Sequence, residues 1–192
     1  KNGYVTFGSF NQQMKINASV IELWSKVLKS IERSRLLLKF PAGNDQMVKE
    51  HYLEQFERRG INRNRIDIYG PLPLEEHLKL YGQMDISLDT FPYNGTTTTF
   101  EALWMGVPVI SLVGDHHVSR VGNSILNNIG TGELAVFSKE DYIAKAVELA
   151  GDIDRLAGLR SSLRDRLAKS SLCDEKGYTE KIEDAYWMMW KR

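Results

Sequence analysis

The chain has 192 residues, 42% hydrophobic and 26% charged, which suits one compact domain with a buried core and excludes a disordered segment. Lysine plus arginine and aspartate plus glutamate both number 25, so no overall field draws the chain to nucleic acid or to an anionic membrane surface. The single cysteine, Cys173, excludes an internal disulfide, and no apolar run approaches the roughly 20 residues of a membrane span.

No signal-like opening precedes the first strand, and a soluble, cytoplasmic protein is expected. Lys1 leads at once into a strand-like run, which points to a segment of something longer. Tyr4 to Phe10 alternates and is rich in β-formers, and a polar turn, Asn11 to Lys15, follows it. Asn17 is a good N-cap for a helix carrying Val20, Ile21, Trp24, Val27, Leu28 and Ile31 at helical spacing. Leu36 to Phe40 is a continuous apolar run ended by Pro41 and Gly43, a strand buried on both faces. A polar amphipathic helix, Asp45 to Arg59, stops at Gly60.

The order then repeats. Ile66 to Tyr69 is a strand, Gly70 to Pro73 a loop, Leu74 to Gln83 a helix and Ile86 to Leu88 a strand. Asp89 to Gly106, DTFPYNGTTTTFEALWMG, turns through Pro92, Asn94 and Gly95 and enters a helix near Thr97. Val107 to Val113 is strand-like, Gly114 to His117 a loop, Ser119 to Asn128 helical, and Leu134 to Phe137 a short strand. Lys139 to Ala150 is a helix capped by Ser138. Asp154 to Ala168 continues helically, and Tyr178 to Arg192 makes a last helix after a break at Cys173 to Gly177. Short apolar strands alternating with helices predict an α/β, doubly wound parallel sheet, in one domain over residues 1–192.

Ligands of such sheets sit beyond the carboxyl ends of the strands, where three loops qualify: Asn11 to Lys15, Gly70 to His77, and Pro92 to Thr98. Asn94, Gly95, Thr96, Thr97 and Thr98 lead into a helix whose free N–H groups and dipole suit a diphosphate. The structural alternative is a capping box, Thr98-x-x-Glu101, with the threonines merely tolerated. Read alone, Lys15 is a solvated loop lysine, Gln12 is equally ambiguous, and His77 is structural or surface-exposed. His116 and His117 are adjacent and cannot face one metal together. Asp152-x-Asp154 follows Gly151 at a helix start, where capping accounts for it. The sequence lacks G-x-G-x-x-G, the P-loop pattern and G-x-S-x-G, which removes support from the common dinucleotide, P-loop and hydrolase readings. Tyr178, Ile182, Tyr186, Met189 and Trp190 form a docking face on the last helix, for this domain or for another.

Three motifs together resemble glycosyltransferase family 41, the O-linked N-acetylglucosamine transferases. They are FNQQMKI at Phe10 to Ile16, GPLPLEEH at Gly70 to His77, and DTFPYNGTTTTFEALWMGVPVISL at Asp89 to Leu112. The resemblance implies the C-terminal, UDP-binding Rossmann-like domain of a GT-B glycosyltransferase, with residues 178–192 docking on the other domain. It implies an inverting, metal-independent UDP-GlcNAc-dependent transferase acting on Ser or Thr of a protein, with no cofactor beyond the UDP-sugar donor. By position, Lys15 matches the diphosphate-binding lysine that stabilises departing UDP, and Gln12 the glutamine near it. Thr97 and Thr98 match the phosphate-binding threonines, Glu101 an acidic residue for the ribose and His77 a histidine at the nucleoside. The chain departs from animal members at Leu74, where they carry a lysine, and at Thr96, where they carry a histidine. The NGTTTT form is similar to members often joined to tetratricopeptide repeats, through which a protein or peptide acceptor would be held. Alternatives are a UDP-glucose-dependent N-glucosyltransferase, a nucleotide-sugar epimerase, or a non-catalytic assembly domain.

Overall fold

The structure, a computed structural model, describes residues 3–191, so Lys1 and the final residue of the predicted last helix, Arg192, lie outside the described residues. Six strands form one sheet: β1 (Val5–Ser9), β2 (Ser34–Lys39), β3 (Ile66–Tyr69), β4 (Ile86–Leu88), β5 (Val109–Leu112) and β6 (Ala135–Val136). Their order is β3-β2-β1-β4-β5-β6, and every pairing is parallel. Parallel neighbours need crossovers, and helices α1 (Ala18–Ser30), α2 (Gln46–Glu57), α3 (Leu74–Leu80), α4 (Thr97–Trp104), α5 (Val121–Asn128) and α6 (Lys139–Gly151) occupy the segments between and after the strands. Two more helices, α7 (Ile153–Ala168) and α8 (Glu175–Trp190), follow. The predicted doubly wound α/β class is the one observed.

The reasons are local. Leu36, Leu37 and Leu38 on β2 are all essentially buried, which requires cover on both faces of the sheet. Each contributes about 1.5–3 kcal/mol by leaving water. Asn17 accepts from the N–H groups of Ser19 and Val20 at the start of α1, and Ser138 accepts from Asp141 N–H at the start of α6. Gly60 and Gly106, just past α2 and α4, adopt φ of +78°, the left-handed conformation that ends a helix.

Several boundaries differ from those predicted. The helix expected over Leu74 to Gln83 is α-helical only to Leu80 and tightens to a 3-10 turn over Tyr81–Gln83. A 3-10 turn at His117–Ser119 precedes α5. The last helix begins at Glu175 rather than Tyr178, so Gly177 is no break: Asp174 caps the helix by accepting from Gly177 N–H at 2.9 Å. A Cβ at Gly177 would lie 2.2 Å from that carboxylate, so the glycine makes room for the cap. Asp152 caps α7 through Arg155 N–H at 2.9 Å, in keeping with the capping account.

The strand order reverses between β1 and β4, since β1 continues outward to β2 and β4 outward to β5. The crevice beyond their carboxyl ends is where an open α/β sheet receives a ligand.

Candidate functional site

The loop after β1 and the loop after β4 meet at this reversal point and enclose a cleft of about 700 Å³, lined by Gln12, Lys15, Tyr93, Thr96, Thr97 and Thr98 among others. Three cross-loop hydrogen bonds hold the walls together. The Lys15 ammonium donates to the Asn94 carbonyl at 2.9 Å, Asn17 Nδ2 to the Phe91 carbonyl at 3.0 Å, and the Thr98 hydroxyl to Asn11 Oδ1 at 3.0 Å.

Helix α4 starts at Thr97 with no side chain capping it. Neither Thr98 nor Glu101 forms the capping box that the sequence also allowed. Thr98 turns to Asn11, while Glu101 Oε2 accepts from the Tyr81 hydroxyl at 3.1 Å and pairs with His77 Nε2 at 3.0 Å. The first-turn N–H groups and the positive dipole end, worth about half a unit charge, therefore carry no side-chain cap, an arrangement chemically suited to an anion.

The predicted residues separate into three groups. Gln12, Lys15, Thr96, Thr97 and Thr98 line the cleft. His77 and Glu101 form a paired group beside it, reached through Tyr81, whose hydroxyl also lies 3.4 Å from the Thr98 carbonyl. Because an ionised carboxylate only accepts, His77 donates from Nε2, and its buried Nδ1 has no partner among the described residues. Asn94 and Gly95 stand behind the wall. Asn94 is fully buried, its amide donating to the Thr90 carbonyl and its Oδ1 accepting from Gly122 N–H. Gly95 N–H points inward to Asp89 at 2.7 Å, and a Cβ on Gly95 would lie 2.5 Å from the Thr98 hydroxyl. The contribution of these two residues is to let the threonines approach. Of the departures from animal members, Thr96 lines the cleft and Leu74 is exposed at the first position of α3.

Four residues with no predicted role complete the site: Asn11, Tyr81, Tyr93 and Asp89. Asp89 is 1% exposed at the end of β4 and accepts from Gly95 N–H, Thr90 N–H and the Ser111 hydroxyl. Burial pushes its carboxyl up to about 6, against these hydrogen bonds and the nearby Lys15 charge, which favour ionisation. Burial likewise lowers the Lys15 ammonium, with the Asp89 charge working the other way. The Tyr81 phenol is pushed far above its usual range, first by burial and then by Glu101, so it stays a donor. The signal in the sequence for Asp89 is a carboxylate directly after the strand Ile86–Leu88; Asn11 and Tyr93 fall within two of the loops that qualify as ligand sites, and Tyr81 carries no signal. Among the described residues no three His, Cys, Asp or Glu side chains gather in a way that could hold a metal ion.

The chain is similar to known proteins. A Petunia hybrida protein named as a probable UDP-N-acetylglucosamine–peptide N-acetylglucosaminyltransferase SPINDLY is 42% identical over 193 residues, covering 100% of this chain and 21% of the petunia protein. A Caenorhabditis elegans UDP-N-acetylglucosamine–peptide N-acetylglucosaminyltransferase is 34% identical over 189 residues, 98% of this chain and 16% of that one. The Thermobaculum terrenum O-GlcNAc transferase, solved as a mutant, superposes with a TM-score of 0.93 at 38% identity, over 98% of this chain and 36% of that one. The chain thus spans well under half the length of these three relatives, and its sheet is the Rossmann-like fold expected of a GT-B glycosyltransferase. Residues 1–182 match the whole-family pattern, and the chain belongs to glycosyl transferase family 41.

Proposed function

We propose that this chain is the donor-binding domain of an inverting, metal-independent UDP-GlcNAc-dependent protein glycosyltransferase that modifies Ser or Thr of a protein or peptide. The observation that carries the reading is the convergence of Lys15 and the uncapped start of α4 on one cleft at the sheet reversal. The donor and acceptor classes proposed are supported by relatives named as UDP-N-acetylglucosamine–peptide N-acetylglucosaminyltransferases.

Direct displacement at the anomeric carbon leaves a growing negative charge on the departing diphosphate. The Lys15 ammonium and the N–H groups of Thr97 and Thr98 stabilise that charge from fixed positions, where donors aimed at a developing charge are most effective. Glu101 keeps Oε1 available for the ribose hydroxyls while Tyr81 and His77 hold its other oxygen. The acceptor and its base belong to parts of the protein outside this chain, so the domain alone binds UDP weakly and transfers nothing. Helix α8 provides the face on which the second domain docks.

Titration with UDP followed by nuclear magnetic resonance tests the reading. Shifts are expected at Gln12, Lys15, Thr97, Thr98 and Glu101, and Glu101→Gln should weaken UDP about tenfold, the scale of a charge-assisted hydrogen bond, without altering stability. Shifts clustered elsewhere, or unchanged UDP affinity in Glu101→Gln, would refute it.

A further inference from the structure

Lys15 is already held before any ligand arrives. Its ammonium donates to the Asn94 carbonyl at 2.9 Å and lies 3.9 Å from the centroid of the Tyr93 ring. The two partners are consecutive residues of one pinned loop. Asn94 N–H donates to the Val118 carbonyl at 2.9 Å, and the Tyr93 carbonyl accepts from the Thr90 hydroxyl at 2.7 Å. Tyr93 itself is 52% exposed and lines the cleft, so its ring is not there to fill the core.

We propose that Tyr93 is a positioning residue: its ring face holds the Lys15 ammonium at the phosphate end of the cleft, so that the lysine meets the donor diphosphate already ordered. The inference rests on the donor-site function proposed above. A lysine stem loses much rotamer freedom when it is immobilised, and a site that orders it in advance spares the ligand that loss. An aromatic face attracts an ammonium without neutralising it, whereas a carboxylate in the same place would offset the charge that the phosphates require. With one N–H on the Asn94 carbonyl, the ammonium keeps two for phosphate oxygens.

The test is calorimetric titration of the full-length protein with UDP and with uridine, in the native form, Tyr93→Phe, Tyr93→Leu, Lys15→Ala and the Tyr93→Leu/Lys15→Ala double variant. Tyr93→Leu should weaken UDP about three- to fivefold, the scale of a half-exposed cation–π contact, with uridine unaffected, and Tyr93→Phe should restore the native value. In the Lys15→Ala background, Tyr93→Leu should have no further effect. Equal losses with and without Lys15, a parallel loss for uridine, or no loss at all would overturn the inference and leave the donor site standing. If Lys15→Ala itself leaves UDP affinity unchanged, the donor-site reading fails and takes the inference with it. Independently of any variant's folding, the ε-methylene protons of Lys15 in the unliganded native protein should show upfield ring-current shifts; shifts typical of a free lysine would also overturn it.

Discussion

Asp89 is the residue on which the candidate site turns, because one carboxylate ties the loop after β4 to the neighbouring strand β5. It receives Gly95 N–H from its own loop and the Ser111 hydroxyl from β5, and its backbone carbonyl receives the Tyr142 hydroxyl at 3.1 Å. The folded carboxyl titrates near 6, above the ordinary aspartate value of 3.8. Between about pH 4 and 6 the unfolded chain therefore binds fewer protons at this group than the folded one, so this contribution to stability falls as pH rises and levels off above about 6. The full swing is on the order of 3 kcal/mol, at 1.36 kcal/mol per unit. Asp89→Asn should remove that slope, and urea unfolding of both forms across this window measures it; parallel slopes would show that Asp89 does not titrate there. These partnerships were not legible in the sequence. Gly95 and Ser111 become partners of Asp89 only once β4 and β5 are paired, and no spacing announces that pairing.

At the scale of elements, what was legible was whatever local physics decides. Apolar spacing located β1, β2, α1 and α6, and hydroxyl or amide caps marked the starts of α1 and α6. The cleft loops were legible as candidates because polar residues cluster at strand ends, but local pattern left α4 balanced between a capped helix and an anion seat. The tertiary partners removed the capping box, as Asn11 drew Thr98 away and Tyr81 with His77 drew Glu101 away. Gly177 was misread because its role depends on the preceding Asp174. Close packing between elements yields a second prediction. Gly122, near the start of α5, faces β5 so closely that a Cβ would stand 2.1 Å from the Ser111 hydroxyl and 3.0 Å from the Asp89 carboxylate. Gly122→Ala should push α5 off the sheet, displace Ser111 from Asp89, and cost about 1–3 kcal/mol, the range for overpacked interiors. Thermal unfolding measures the loss. UDP affinity should fall with it, because the same displacement loosens Asn94, which accepts from Gly122 N–H.

The molecule as a whole has one large face that its own core does not use. Helix α8 has no buried residue, and Tyr186, Trp187, Met188, Met189 and Trp190 are each at least 60% exposed. A helix that turns so many aromatic and methionine side chains to solvent gains nothing from this domain and exposes the kind of apolar patch that marks an interface. The two tryptophans are the strongest anchors available to a partner surface, since large aromatic side chains dominate binding energy at such interfaces. The docking proposal therefore makes opposite demands on two forms of the protein. In the isolated chain, Trp187→Ser/Trp190→Ser should leave unfolding within about 0.5 kcal/mol of native, as for exposed sites without a structural role. In the full-length protein the same pair should loosen the domain interface and lower transferase activity about tenfold or more, with cleavage between the domains accelerated in limited proteolysis, because truncating a central aromatic anchor costs about 2 kcal/mol or more. An isolated chain destabilised by the double change would mean that α8 packs at home. Unchanged proteolysis and activity of the full-length protein would mean that no second domain sits on it.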